Sequence, residues 1–411
     1  MISFSEAQEK ILSSLEPLPS ETVSITEALG RVLAEQVFAP RNLPPMDNSA
    51  MDGYAFCRSD AVGERAVLRV VDEIAAGHLF SGAVAEGEAV KIMTGAPIPP
   101  GADTVVPVED TARLGAEVEI LSLPRPGANV RKAGEDVSAG DQVLPPGIRI
   151  RPAEVGMLAS LGRSFVKVHQ RPKVAILATG DEIVEIDAPT EGFKIINSNS
   201  YGLSAQVLET GAIPVRLGIG RDDREGLLEI LGNARTCDMV LTTGGVSMGD
   251  YDYTRDVLAE WGVDTKFWKV AVKPGKPVLF GMKGRVPVFG LPGNPVSAMV
   301  SFEQFVRPAL RKLMGAQRLF RPVFKAILDE RAERVKGRPD RIEFVRCRIE
   351  RFGTRFKVVG LGKRSSGMLS TLVEANGLLI LPVGREVIEP GEEVDVQVYD
   401  YEFLEGRAAG W

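Results

Sequence analysis

Histidine and cysteine are nearly missing. The 411 residues hold two histidines, His78 and His169, and three cysteines, Cys57, Cys237 and Cys347. None of them forms a ligand pair at zinc-site spacing, and three scattered thiols make no disulfide framework. A bound metal would therefore be a hard cation on oxygen ligands. Long apolar runs are missing as well; none approaches the ~20 residues of a membrane-spanning helix. Positive charge is not in excess: 49 Lys and Arg against 55 Asp and Glu leave a net charge of −6, which argues against a general nucleic-acid binder. The common nucleotide signatures are absent too. No G-x-x-x-x-G-K-[ST] occurs, and no G-x-G-x-x-G follows a strand-like run, which disfavours a Walker-type NTPase and a dinucleotide dehydrogenase. No G-x-S-x-G hydrolase elbow occurs either.

The remainder is ordinary globular composition, 44% hydrophobic and 25% charged. At ~150 residues per domain the length suggests about three domains, with two or four possible. No secretory signal opens the chain. Phe4, Ala7, Ile11, Leu12 and Leu15 recur at helical spacing behind a Ser3/Glu6 capping box, so the N-terminus reads as an amphipathic helix and the setting as cytoplasmic. A second short helix is expected after Thr26. Residues 44–140 carry short β-like runs at 66–71, 89–93, 104–108 and 118–121, separated by turn residues. Helical period returns at 151–161, so this β module interrupts a mostly helical N-terminal domain, 1–43 and 141–170. Between 171 and 320, strand and helix alternate: strands near 174–178, 213–219, 239–243, 266–272 and 287–289, helices near 199–210, 224–233, 254–261 and 296–314. That pattern predicts a parallel sheet with helices on both faces, whose ligands sit beyond the carboxyl ends of the strands. Residues 321–411 return to short strands. The expected fold is thus multi-domain α/β plus β: an α/β parallel-sheet ligand domain, a mostly helical N-terminal domain, an inserted β module and a C-terminal β module.

The strand ends of the α/β region are rich in Gly, Thr and acid: Thr179-Gly180-Asp181-Glu182, then Gly220-Arg221-Asp222-Asp223, then Thr243-Gly244-Gly245-Val246-Ser247, which runs on to Asp252. Glycine lets backbone approach a ligand, N–H groups near helix starts hold phosphate, and nearby carboxylates hold Mg²⁺ on the same phosphate. Each loop alone reads more readily as caps and turns than as a ligand site; three at successive strand ends favour a phosphate-bearing ligand. Lys269, Lys273 and Lys276 bring positive charge, and Leu291-Pro292-Gly293-Asn294-Pro295 is a rigid loop entering a helix. Polar clusters also occur outside this region, at 46–55, 94–97 and 131–136, where Asx turns and ion pairs are the plain reading.

Taken together, segments 46–55, 91–97, 130–137, 179–182, 242–252, 273–277 and 291–297 resemble MoeA and the E domain of gephyrin, the molybdopterin molybdenumtransferases, collinearly over essentially the whole chain. The resemblance implies a four-domain protomer, a homodimer, and an N-terminal domain that serves as linker and dimerisation element. It implies insertion of molybdenum from molybdate into adenylylated molybdopterin with release of AMP, usually with Mg²⁺, and a molybdopterin adenylyltransferase as a partner. By motif position it assigns the functional acids to Asp52, Asp136, Glu182, Asp222 and Asp252, with Glu182 and Asp222 on the metal. Thr94 and Arg131 on the β module match ligand-site residues, as do Lys269, Lys273, Pro292 and Pro295; Gly244, Gly245, Ser247 and Lys276 join them, and Ser370 is the C-terminal serine by alignment. In the family, β-module residues reach the α/β cleft of the other subunit. The rival readings are a pyrophosphate-cleaving or adenylyl-transferring enzyme on a related nucleotide, and a non-catalytic scaffold.

Overall fold

The computed structural model describes all residues except 76, 190–191, 222, 246–252, 335–339, 362–364 and 405–411. They form two compact units, one of Met1–Ala34, Gly147–Arg151 and Phe165–Trp411, the other of Glu35–Pro146 and Pro152–Ser164. Among the described residues no helix is long and apolar enough to cross a membrane.

The first unit is built on a six-stranded sheet. Its strands are β1 (Lys173–Thr179), β2 (Ile213–Gly220), β3 (Met239–Thr243), β4 (Asp264–Trp268), β5 (Leu279–Lys283) and β6 (Val286–Leu291), ordered β2-β1-β3-β6-β5-β4. The first four run parallel. The sequence predicts a parallel sheet, but β5 runs antiparallel to β6, and β4 pairs antiparallel with β5 at that edge. β1 is buried at every position after Lys173, as expected for a strand covered on both faces. Register sets Thr179 beside Gly220, Ala178 beside Thr243, and Thr243 beside Leu291. The four loops that follow therefore leave the sheet at one level.

Helix α1 (Phe4–Ser13) starts on the capping box: Glu6 N–H donates to Ser3 Oγ at 3.2 Å, and Ser3 N–H to Glu6 Oε2 at 2.8 Å. Its Ala7 and Ile11 enter the same apolar core as Ile176, Leu241 and Phe289. The helix expected after Thr26 is instead a run of turns ending at Gly30, whose φ is +79°. Helix α2 (Ser198–Thr210) is capped by the Asn197 side chain and stopped by left-handed Gly211. The expected 296–314 helix is interrupted: α3 (Pro295–Ser301) passes through a π-turn at Phe302–Val306 into α4 (Arg307–Leu313). Pro308 has no N–H for the Gln304 carbonyl, which accepts from Gln8 Nε2 of α1 at 3.0 Å.

The C-terminal strands Ile342–Phe352, Arg355–Gly360, Val323–Leu328, Glu393–Val398 and Gly377–Leu381 pair in that order, and the last pairs back to the first. Closure leaves no free edge within the ring. A short strand from the α/β region, Val272–Lys273, joins it in parallel, with Val272 opposite Ile342 and Lys273 opposite Glu343.

The second unit holds a six-stranded sheet ordered Thr104–Pro107, Gly53–Phe56, Glu88–Ile92, Ala66–Ile74, Glu117–Ile120, Thr111–Leu114, plus the helix Pro152–Ser160. Tyr54 and Phe56 enter one apolar cluster and Ala55 another, so the Gly53–Phe56 strand is buried on both faces.

Candidate active site

A cleft of about 590 Å³ opens at the carboxyl ends of β1, β3 and β6. Its walls are Thr179, Gly180 and Glu182 after β1, Thr243 to Gly245 after β3, Pro292 to Pro295 after β6, and Asn197 to Asn199 at the start of α2. The glycines are dictated by geometry. Gly244 has φ +99°, and a Cβ there would lie 2.4 Å from the Thr179 carbonyl oxygen; Gly245 has φ +58°, and its Cβ would lie 2.0 Å from Thr254 Oγ1. Only glycine lets this turn cross so close to β1. Asn199 ties the walls together: its Nδ2 donates to Thr243 Oγ1 at 2.8 Å and to the Gly293 carbonyl at 2.7 Å. Ile183, Ile195 and Ile196 supply an apolar side to the same cleft.

A second cavity, of about 240 Å³, adjoins the first. Lys276 and Ser366 line it while their chain neighbours Pro277 and Gly367 line the cleft. Among the described residues its charged walls are Lys273, Lys276, Arg341 and Arg346 against the single acid Glu343, with Ser297 and Ser366 completing the polar surface. Arg346 is 5% exposed and fixed by bonds from Nε to Thr371 Oγ1, 3.0 Å, and from Nη2 to the Ser365 carbonyl, 3.1 Å. Gly275 turns this wall at φ +100°, where a Cβ would strike Ser301 Oγ at 2.3 Å. Four cations and two hydroxyls around so small a volume suit a tetrahedral oxyanion.

Glu182, Gly244, Gly245, Pro292 and Pro295 thus meet at the cleft, and Lys273 and Lys276 at the smaller cavity. Lys269 lines neither; its Nζ sits 3.5 Å over the Trp268 ring centroid, on a left-handed backbone of φ +75°. Ser370 also lines neither and begins the short helix Ser370–Glu374, whereas Ser366 faces the cationic cavity. Asp222, Ser247 and Asp252 lie outside the described residues. Sequence reasoning missed Asn199, Ser297, Arg341, Glu343, Arg346 and Ser366. The signal for Arg346 was the broken alternation at 343–349, where charged residues interrupt a buried strand.

The second unit gathers its three polar segments at one place. Val130–Arg131 pairs with Asn48–Ser49, Asn48 bridges Pro97, and Gly95 N–H donates to the Ser49 carbonyl. Asp52 Oδ1 accepts from both the N–H and the hydroxyl of Thr94, each at 2.7 Å. Those bonds, the N–H first, hold the exposed Asp52 carboxyl below its usual 3.8. Lys132 and the Ala133 N–H do the same for Asp47. Arg131 and Asp136 are exposed beside them. Among the described residues no group of three His, Cys, Asp or Glu side chains is arranged to hold a metal alone. Glu182 gives the cleft one described carboxylate amid hydroxyl and backbone oxygens. That donor set fits a hard cation that takes its remaining ligands from substrate phosphate and water.

Residues 2–162 match the family described as MoeA N-terminal region (domain I and II), 175–312 the probable molybdopterin binding domain, and 330–399 the MoeA C-terminal region (domain IV). The chain is 36% identical over 416 residues to a molybdopterin molybdenumtransferase of Haemophilus influenzae, covering 98% of this chain and 99% of the relative. It is 38% identical over 383 residues to one of a Nostoc species, covering 91% and 88%. Among solved structures, the molybdopterin biosynthesis MoeA protein of Pyrococcus horikoshii superposes with a TM-score of 0.85 at 34% identity, over 97% of this chain and 100% of that one.

Proposed function

Since the chain belongs to the molybdopterin molybdenumtransferases, enzymes of molybdenum cofactor biosynthesis, we propose that its cleft takes adenylylated molybdopterin and its cationic cavity takes molybdate. The observation that carries this reading is the pairing of two adjoining cavities of different chemistry: one glycine-walled and mixed in polarity, the other small and cationic.

The phosphoanhydride of the ligand lies against the Gly245 N–H and the first N–H groups of α2, which favour negative charge; the Gly244 N–H is already given to the Leu291 carbonyl. The isoleucine side accepts flat heterocycle, and Asn199 keeps the walls at fixed separation. Lys273, Lys276, Arg341 and Arg346 hold the molybdate dianion beside the dithiolene sulfurs, so the bimolecular encounter becomes a local one. As the two dithiol sulfurs bond to molybdenum, their two protons leave with one molybdate oxygen as water; a water attacks the phosphoanhydride, which releases AMP and leaves the other phosphate on molybdopterin. Glu182, with Asp222, would hold Mg²⁺, which when bound neutralises the phosphate oxygens, while Asp252 orients water or carries protons. The same proposal includes the cytoplasmic setting read from the N-terminal segment and the four-domain division, homodimer and adenylyltransferase partner that the resemblance implies, with Asp52, Thr94, Arg131 and Asp136 serving the cleft of the other subunit. An enzyme that only cleaves a nucleotide pyrophosphate would use the cleft and leave the cationic cavity without a task.

The test incubates the purified chain with adenylylated molybdopterin and follows AMP and metal-bound cofactor. Both are expected to require molybdate and Mg²⁺ and to stop in EDTA. AMP release without any metal insertion would overturn the reading in favour of a pyrophosphatase.

A further inference from the structure

The cationic cavity contains one group that opposes its charge. Parallel pairing sets Lys273 opposite Glu343, and Lys273 Nζ meets Glu343 Oε1 at 3.0 Å. Glu343 is only 3% exposed. Its second oxygen, Oε2, accepts no hydrogen bond among the described residues; the Arg334 guanidinium stands off at 3.9 Å. Arg341 Nε on the same cavity is also buried without an acceptor. Buried charged groups are normally hydrogen-bonded throughout, so this arrangement is incompletely satisfied as it stands. A carboxylate on the wall also repels a dianion across a few ångströms of poorly hydrated space. Its lysine partner is one of the cations that the dianion needs.

Resting on the reading that this cavity receives molybdate, we propose that Glu343 is a built-in competitor for the oxyanion. It engages Lys273 while the cavity is empty, and an incoming tetrahedral dianion takes Lys273 from it. The competition keeps oxyanion affinity low enough for molybdenum to leave toward the dithiolene, and it raises the threshold for sulfate, the same charge and shape without the chemistry. Glu343 touches no reacting atom and acts through Lys273 and through its field.

Isothermal titration of the full chain with sodium molybdate, and separately with sodium sulfate, tests this. Glu343→Gln removes the negative charge and releases Lys273, and both changes strengthen dianion binding. Dissociation constants for both anions are expected to fall by about tenfold or more, and KM for molybdate to fall while kcat also falls. If Glu343 instead serves to hold Lys273 in place for the anion, the same variant binds more weakly; weaker or unchanged binding overturns the proposal. Should Glu343→Gln melt well below the parent protein, Glu343→Asp, whose carboxylate keeps its charge but is drawn back from Lys273, is titrated in its place; both anions are then expected to bind more tightly, by less than about tenfold. Lys276→Met separates this inference from the reading beneath it. It deletes a cavity cation and leaves the Lys273–Glu343 pair. Loss of binding there with no gain in the Glu343 variants refutes the competitor alone; unaltered binding in Lys276→Met refutes the oxyanion cavity itself.

Discussion

Gly244 and Gly293 face the same cleft, but a methyl group has opposite consequences at each. At Gly244 the backbone is at φ +99° and the new Cβ would lie 2.4 Å from the Thr179 carbonyl oxygen. The left-handed conformation costs an alanine roughly 1–2 kcal/mol. The clash adds to it, because Thr179 ends the buried β1 and is 3% exposed, so the strand end cannot simply swing away. Gly244→Ala should cost about 2–4 kcal/mol in all. At Gly293 the nearest atom to a Cβ is the Gly244 Cα at 3.5 Å, an ordinary contact. There the loss of unfolded-chain freedom dominates, and Gly293→Ala should be neutral or stabilising by about 0.4–1 kcal/mol. In scanning calorimetry, at roughly 2–4 °C per kcal/mol, Gly244→Ala should melt ~5–15 °C below the parent and Gly293→Ala at or slightly above it. Relief of the Gly244 clash also moves the turn that faces the phosphates, so adenylylated molybdopterin should bind at least about tenfold more weakly to Gly244→Ala. Equal melting points and equal ligand affinity for the two variants would refute the argument from backbone geometry.

Glu182 is exposed on the cleft, so Glu182→Gln should leave stability within about 0.5 kcal/mol while abolishing Mg²⁺-dependent AMP release; full activity would remove it from the site. Asp52 has a folded pKa below 3.8, so its bonds to Thr94 stabilise the fold at neutral pH, and that contribution disappears as pH falls through the native value. Thr94→Val removes the hydroxyl bond and keeps the N–H bond, so carboxylate titration followed by NMR should show a partial rise toward 3.8; no rise would mean the hydroxyl is not its partner in solution. The shared homodimer is tested by mixing inactive Asp52→Ala with inactive Glu182→Gln under subunit exchange. About half the sites of each heterodimer should recover, and silence after exchange is verified by mass would rule out sharing between subunits.

The α/β region was legible because its signals are local. The apolar run at 174–178 and the Gly, Thr and acid residues after it state both the strand and its functional end. The Ser3 and Glu6 pair named its helix start to the residue. Errors arose where tertiary pairing decides. Leu279–Lys283 is a strand only because β6 and β4 flank it, and its direction is invisible in composition. Gly53–Phe56 hid inside a segment whose polar neighbours dominate the pattern, although Tyr54, Ala55 and Phe56 are all buried. The cleft was therefore readable loop by loop, but the cationic cavity was not. Arg341 and Arg346 lie some 70 residues beyond Lys273, and no spacing rule links them; the parallel pairing of Lys273 with Glu343 does. Ser366 and Ser370 are four residues apart, and only the docking of the Ser366 loop onto the start of α3, through Val296 N–H to the Ser366 carbonyl, sets Ser366 rather than Ser370 on the cavity.

That two-residue parallel pairing also bears on how such a chain can be divided. The glycine-walled cleft is made almost wholly from the α/β segment, with Gly367 its one lining residue from beyond 320. The oxyanion cavity has no such independence: Arg341, Glu343, Arg346 and Ser366 come from the barrel and its loop, and Lys273, Lys276 and Ser297 from the other side. A gene encoding the α/β segment alone would retain most of a nucleotide site and no complete anion site. Grafting the barrel onto such a segment therefore completes the cationic cavity, and the seam at Lys273 and Glu343 is where recombination between relatives must keep both halves matched.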